Sequence, residues 1–256
     1  MTVNPLTEVW NSGRAAVGTY IMYDRDITTV QIAAAAGLDF IVFDMEHRPH
    51  DYETIHDMAQ VARLAGIAPI VGPAEIAEYP ISHVLDLGAS GVIIPHVETP
   101  EDVAMALNAT RYPPNGRRGR SGVAGHNLYH APESVVEELR HYDSDVSLFL
   151  KIEAEEAIVR IDELLAPGGV DGAMIGPVDL SINMGIPGQT THPRLLELVD
   201  RVRNACIDRG IRFGDYVGSP DDVAAAVEAG ASWVIVGSEM DALGEAWRRA
   251  AASIRA

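Results

Sequence analysis

Lys151 and Glu153 stand two residues apart at the end of a short apolar run, SLFLKIE, and that spacing is the first chemical signal in the chain. On a strand, residues two apart project to the same side, which at the end of a closed barrel is the interior. A carboxylate held there is costly to desolvate without a partner. Two partners are available. Lys151 can form an ion pair with it, or Asp179, just beyond the next apolar run, can share a cation with it. Two carboxylates completed by water and substrate oxygens suit Mg²⁺ or Mn²⁺, hard ions that seldom need a cage made wholly of protein. Spacing alone leaves both open.

A second group, Asp44-Met45-Glu46-His47, follows the buried-looking run FIVF. A histidine beside carboxylates at a strand's mouth acts as a general base or sits in the rim as a structural residue. Asp86 falls at the end of an expected helix, where its charge opposes the helix dipole. Another interaction is therefore expected to retain it, and orienting the His47 imidazole is one candidate. His50, His56, His83 and His96 lack metal-ligand spacing with one another and read as rim or surface residues. His126, His130 and His141 read as polar groups of a loop. The chain has no GxGxxG, Walker, HExxH or GxSxG motif, which removes the usual basis for dinucleotide, nucleotide and serine-hydrolase chemistry.

What must position these residues is an alternation of short β-branched runs with Ala/Glu/Leu-rich helical stretches. Strands are predicted at Ala16–Tyr23, Phe40–Glu46, Pro69–Val71, Gly91–His96, Ser147–Glu153, Gly172–Ile175, Arg212–Val217 and Trp233–Val236. Helices are predicted after each: Thr28–Ala36, Tyr52–Leu64, Ile76–Leu87, Pro100–Thr110, Glu155–Leu165, Pro193–Arg209, Pro220–Ala229 and Met240–Ser253. Parallel strands need crossover helices, so eight such units predict a (β/α)8 TIM barrel, in which residues at the carboxyl ends of strands meet the substrate. Residues 1–256 read as one such domain. An insertion around 111–144, rich in Gly, Pro and Arg and with a short helix at Glu133–His141, is a candidate lid.

The length of 256 residues agrees with one barrel of about 250 residues. With 19 basic against 37 acidic residues, the net charge of −18 argues against nucleic acid as a partner. No apolar run approaches the roughly 18–20 residues a membrane span needs. No secretory signal is visible at the N-terminus, and the single cysteine, Cys206, suits a reducing compartment; the expectation is a cytoplasmic protein.

Together, the segments FDMEH (43–47), LDLGA (85–89), ATRYPP (109–114), Ile152-Glu153 and GPVDLS (176–181) resemble the HpcH/HpaI aldolase family of metal-dependent 2-oxo-acid lyases, in order and in spacing across nearly the whole chain. The resemblance implies a class II aldolase acting on an oxo acid and an aldehyde. In it, Glu153 and Asp179 hold the metal, Mg²⁺, Mn²⁺ or another divalent ion, while His47 with Asp86 manages protons. The C3–C4 bond of a 4-hydroxy-2-oxo acid breaks to give a pyruvate enolate, whose electrostatic stabilisation is the main catalytic contribution. Gly176, Pro177 and Val178 are expected to line the substrate. The resemblance also implies a homo-oligomer, a trimer of dimers with terminal helices exchanged between subunits.

The chain departs from this family at three places. The third strand usually ends Val-Arg-Pro, with the Arg on the substrate; here it reads Val71-Gly72-Pro73, and a bidentate clamp is gone. Lys151 stands where the family usually has Gln, and it is expected to restore part of the lost charge as a catalytic and substrate-binding group. A Schiff-base role for Lys151 is the lesser alternative. Tyr216, on a strand the family usually makes apolar, either donates its hydroxyl to substrate or packs with it towards solvent. Decarboxylation of a related oxo acid, a biosynthetic condensation and a non-catalytic descendant stand as alternatives to the aldolase reading.

Overall fold

In the computed structural model, which describes residues 3–253, eight parallel strands close into a barrel in the order β1 to β8. They are β1 (Ala16–Ile21), β2 (Phe40–Asp44), β3 (Ala68–Gly72), β4 (Gly91–Ile94), β5 (Ser147–Ile152), β6 (Gly172–Ile175), β7 (Arg212–Val217) and β8 (Trp233–Ser238). The helices are α1 (Pro5–Asn11), α2 (Ile27–Ala35), α3 (Tyr52–Ala65), α4 (Glu78–Asp86), α5 (Pro100–Thr110), α6 (Val135–Asp145), α7 (Glu155–Val159), α8 (Ile161–Leu164), α9 (Pro177–Asn183), α10 (Pro193–Asp208), α11 (Val223–Glu228) and α12 (Glu239–Ala252). The (β/α)8 barrel expected from the alternation is the fold observed.

The strands bury two faces against two separate cores. Outward residues such as Ile41, Phe43, Val92, Leu148 and Leu150 pack beneath the helices. Inward residues Phe40, Val42, Ile70, Ile93, Phe149, Met174, Trp233 and Ile235 fill the barrel. The interior accommodates its large rings only because small residues face them. A Cβ on Gly214 would lie 2.1 Å from the Trp233 ring, and one on Gly18 would lie 2.5 Å from the Phe40 ring. Helix α1 inserts Leu6 and Val9 into this inner core and closes it at the amino end. Its N-cap, Asn4, is buried and donates to the carbonyls of Ser90 and Asp145.

Several elements differ from expectation. Helices α1 and α9 are additional; both carry Pro at the first helical position, where its missing N–H costs nothing. The helix expected at Glu155–Leu165 breaks at Arg160 into α7 and α8. The one expected at Pro220–Ala229 opens with a 3₁₀ turn at Pro220–Asp222 before α11. The insertion's helix, α6, runs later than Glu133–His141 because Ser134 caps it, accepting from the Glu137 N–H.

The insertion is not a lid over its own chain's barrel mouth. It joins the end of α5 to the start of β5, and helices run back antiparallel to the strands, so it leaves and re-enters at the barrel's amino end. There Arg111 donates to the carbonyls of Val146 and Gly169, and Tyr142 packs on His126. Among the described residues, no helix is long and apolar enough to cross a membrane.

Candidate active site

The carboxyl end of the barrel holds a small cleft of about 30 Å³, lined by Tyr20, Asp44, Glu46, Gly72, Ile93, Pro95 and Lys151. Alternation along β5 turns Lys151 and Glu153 inward above Phe149, as their spacing predicts. Glu153 is 4% exposed. The ion pair with Lys151 is formed, Nζ lying 2.6 Å from Oε1. The other oxygen, Oε2, accepts the backbone N–H of His96 at 3.0 Å and lies 3.2 Å from His96 Nδ1.

Asp44 shapes the segment after β2. Its Oδ1 accepts the backbone N–H groups of Glu46 and His47, a local turn that aims Glu46 into the cleft and leaves His47 on the rim. Glu46 Oε1 lies 2.6 Å from His96 Nε2 and 3.6 Å from His47 Nε2. Three carboxylates, Asp44, Glu46 and Glu153, thus face one ammonium, Lys151, with Arg48 Nε 3.9 Å from Asp44 at the edge.

Burial works against the charge on Lys151, but Glu153, Tyr20 and Glu46 around it prevail and hold its pKa above the ordinary lysine value. A lysine so held stays protonated, which disfavours the Schiff-base role. Loss of solvent pushes the Tyr20 phenol up to about 12, an effect that Lys151 opposes and the neighbouring carboxylates reinforce. Tyr20 therefore remains a neutral donor. The Tyr216 ring lies 6.3 Å from that of Tyr20, and burial raises its pKa too.

Gly176 follows β6 and abuts Glu153. A Cβ built there would fall 2.4 Å from Glu153 Oε1 and 2.7 Å from its Cγ. Three residues further on, Asp179 occupies the first turn of α9, partly buried, and no hydrogen bond or ion pair engages its side chain among the described residues. Pro177 is partly buried and Val178 is exposed. Gly72 is open: a Cβ there meets nothing nearer than 3.6 Å, so a side chain would fit and none is present. A cleft rich in carboxylate oxygen, with Asp179 unengaged and a glycine pressed on Glu153, has the donor set for a hard divalent cation. Among the described residues, no three His, Cys, Asp or Glu side chains already surround one point.

Other sequence expectations fare differently. Within one chain Asp86 does not meet His47. It ends α4 towards the barrel's amino end, whereas His47 follows β2 at the carboxyl end. Asp86 instead accepts from Arg118 at 2.7 Å, and the Arg118 side chain is 1% exposed. His50, read as rim or surface, is buried against Phe43 with Nε2 2.9 Å from the Ile21 carbonyl oxygen. His126, read as a loop group, is 3% exposed. His96 lies exposed at the rim, as read, and its ring also touches Glu46 and Glu153. Tyr20 is the site residue that spacing did not single out; Glu46 and His96 were picked out as strand-end residues, but their contact with each other was not foreseen. Tyr20 was within reach of the alternation rule, being two residues beyond the inward Gly18.

Residues 22–246 match the family model described as HpcH/HpaI aldolase/citrate lyase. The chain belongs to that family. The HpcH/HpaI relatives include a pyruvate aldolase from Rhizobium etli, 32% identical over 244 residues, covering 94% of this chain and 93% of that protein. A 2-keto-3-deoxy-L-rhamnonate aldolase from Escherichia coli is 29% identical over 235 residues, covering 91% of this chain and 86% of its own length. Among solved structures, the HpcH/HpaI aldolase from Desulfitobacterium hafniense superposes with a TM-score of 0.94 at 29% identity, covering 99% of this chain and 97% of that one. An HpcH/HpaI chain of this kind is an enzyme of the aldolase and lyase type.

Proposed function

We propose that this enzyme is a divalent-metal-dependent carbon–carbon lyase that cleaves or forms a 4-hydroxy-2-oxo acid through a pyruvate-type enolate. The observation that carries the reading is the cleft itself: buried Glu153, with Asp44 and Glu46, gathered around one protonated lysine at the barrel's carboxyl mouth. When bound by Glu153 and Asp179, a divalent metal such as Mg²⁺ or Mn²⁺ supplies Lewis-acid polarisation of a 2-oxo carbonyl. Lys151 and the Tyr20 hydroxyl place a cation and a hydrogen-bond donor beside the cleft where enolate charge develops. Gly72 leaves the third strand's end without a charged clamp, so Lys151 takes over part of the anchoring of the substrate's anionic end. Pro177 and Val178 line the approach.

His47 is the proton carrier at the C4 hydroxyl. The opposite placement of Asp86 means that an Asp86–His47 pair forms only between copies of the chain. An assembled enzyme also accounts for α12. Met240, Leu243 and Trp247 on this helix are exposed, the last at 68%, and only Glu239 of the helix is buried. Beside it an open, largely apolar groove of about 360 Å³ runs between α2 and α12, lined in part by Ile21, Ile32, Leu38 and Val236. The proposed assembly is a dimer-based homo-oligomer, such as a hexamer, in which the α12 apolar face docks on a neighbouring copy. The compartment proposed is the cytoplasm.

The test of the reaction is direct. Metal-loaded protein is incubated with pyruvate and a panel of aldehydes, with and without EDTA, and adducts are sought by mass spectrometry. EDTA-sensitive adducts support the proposal. Carbon dioxide release from an oxo acid without any adduct or aldehyde redirects it to decarboxylation.

A further inference from the structure

His96 immediately follows the end of β4 and Pro95, and its backbone is held at φ 49°, a left-handed conformation uncommon outside glycine, though histidine is among the side chains that adopt it more often. That backbone does two things at once. It aims the His96 N–H at Glu153 Oε2, and it swings the ring between two carboxylates, Nε2 at 2.6 Å from Glu46 Oε1 and Nδ1 at 3.2 Å from Glu153 Oε2. Ionised carboxylates only accept, and an imidazole in its metal-ligating form carries a single N–H. One of the two facing pairs is therefore left with lone pairs opposed. With the N–H placed at Nε2, on the shorter contact, Nδ1 and Glu153 Oε2 are left 3.2 Å apart with lone pairs free for an ion.

Two ligand atoms bound at about 2.1 Å and at right angles on one ion lie about 3.0 Å apart. The observed 3.2 Å is close to that edge. The remaining contact, imidazole to Glu46, has the form of the carboxylate that fixes the tautomer of a metal-ligating histidine by taking its other N–H. We infer that His96 Nδ1 is a third protein ligand to the divalent ion held by Glu153 and Asp179, with Glu46 as its supporting carboxylate. Asp179, unengaged in the first turn of α9, closes on the pair when the ion enters. This rests on the metal reading of the proposed function and adds to it a nitrogen ligand. An imidazole in the ligand set shifts preference from Mg²⁺ towards Mn²⁺, Co²⁺ and Zn²⁺.

The experiment uses the full-length protein loaded with Mn²⁺. Pulsed electron paramagnetic resonance reports ¹⁴N hyperfine coupling to the ion, and titration of free Mn²⁺ and Mg²⁺ gives their affinities. The variants are His96→Asn, since asparagine tolerates the left-handed backbone, and His47→Phe as a control for the other nearby ring. Expected are imidazole coupling in the native protein and in His47→Phe, and its loss in His96→Asn. Mn²⁺ binding in His96→Asn falls about 10–100-fold, more than Mg²⁺ binding does. Mn²⁺ bound by the native protein without imidazole coupling overturns the inference and leaves the metal reading standing, with His96 then a charged bridge between two carboxylates. Coupling that persists in His96→Asn also overturns it. No Mn²⁺ binding by the native protein overturns the metal reading itself.

Discussion

Replacing Gly176 by alanine puts the strongest demand on the site as built. The added Cβ would lie 2.4, 2.7 and 3.0 Å from Oε1, Cγ and Cδ of Glu153. Non-bonded heavy atoms settle near 3.5 Å, so one of the two must retreat by about 1 Å. Glu153 has little freedom to give, being held by Lys151 on one oxygen and by the His96 N–H on the other. Overpacking of this kind costs about 1–3 kcal/mol of stability, which leaves a folded barrel. A misplacement of about 1 Å at a reacting centre costs about 100-fold in rate, or about 2.7 kcal/mol of transition-state stabilisation. The assay is exchange of the pyruvate methyl protons with deuterium oxide, followed by proton NMR in the presence of Mn²⁺. It reads enolate formation without requiring the aldehyde to be known. Gly168→Ala, where a Cβ meets nothing within 4 Å, is the control. Exchange by Gly176→Ala within twofold of the native rate, with the fold intact, would refute the close packing of Gly176 on Glu153 as a condition of catalysis.

Other outcomes follow from the same structure. Lys151→Gln and Lys151→Ala are each expected to lower enolate exchange at least tenfold; unchanged exchange in both removes Lys151 from substrate anchoring. Both ring nitrogens of His126 are buried without a hydrogen-bond partner among the described residues, and burial, helped by Arg118, lowers its pKa from 6.5 to about 4. A histidine with a depressed folded pKa contributes stability above the unfolded value, and that contribution is lost as pH falls from about 6.5 through 4. It amounts to about 3 kcal/mol, so His126→Phe should flatten the melting temperature across that interval, as calorimetry will show. Trp247→Glu is expected to shift the enzyme to a smaller species on gel filtration, and an unchanged elution volume removes α12 from the interface. His47→Ala and Asp86→Asn should each be inactive alone and recover activity when their subunits are unfolded and reassembled together, provided the pair spans two copies.

The elements were legible where burial imposes a period. The eight strands lie within apolar runs, and the long helices α3, α5 and α10 begin and end within a residue or two of expectation. The short ones escaped: α1 spans only seven residues, although Asn4-Pro5 is a start signal, and α9 spans seven residues of the segment GPVDLS and its sequel, between the expected strand at Gly172–Ile175 and the next helix. Lys151 and Glu153 were legible because alternation on a strand fixes where a side chain points. The contacts of His96 and Glu46 were not, because a single backbone angle and an aspartate-centred turn set them, and neither leaves a period. The expected His47–Asp86 partnership failed within one chain for a different reason. Adjacency inferred from chemistry says nothing about which end of a barrel a residue occupies.

The aromatic filling of the barrel bears on how such an enzyme changes its substrate. Trp233 lies on Gly214 and Phe40 on Gly18 so closely that no single substitution there is free: enlarging the glycine collides, and trimming the ring leaves a void. The amino-end layer of the barrel, far below the cleft, is closed to any path that proceeds one residue at a time. Innovation is confined to the rim, where Gly72 stands in open space and Lys151 is set by its charged neighbours. Those are two of the positions at which the sequence reading sets this chain apart from the family it resembles, and libraries aimed at a new oxo acid belong there.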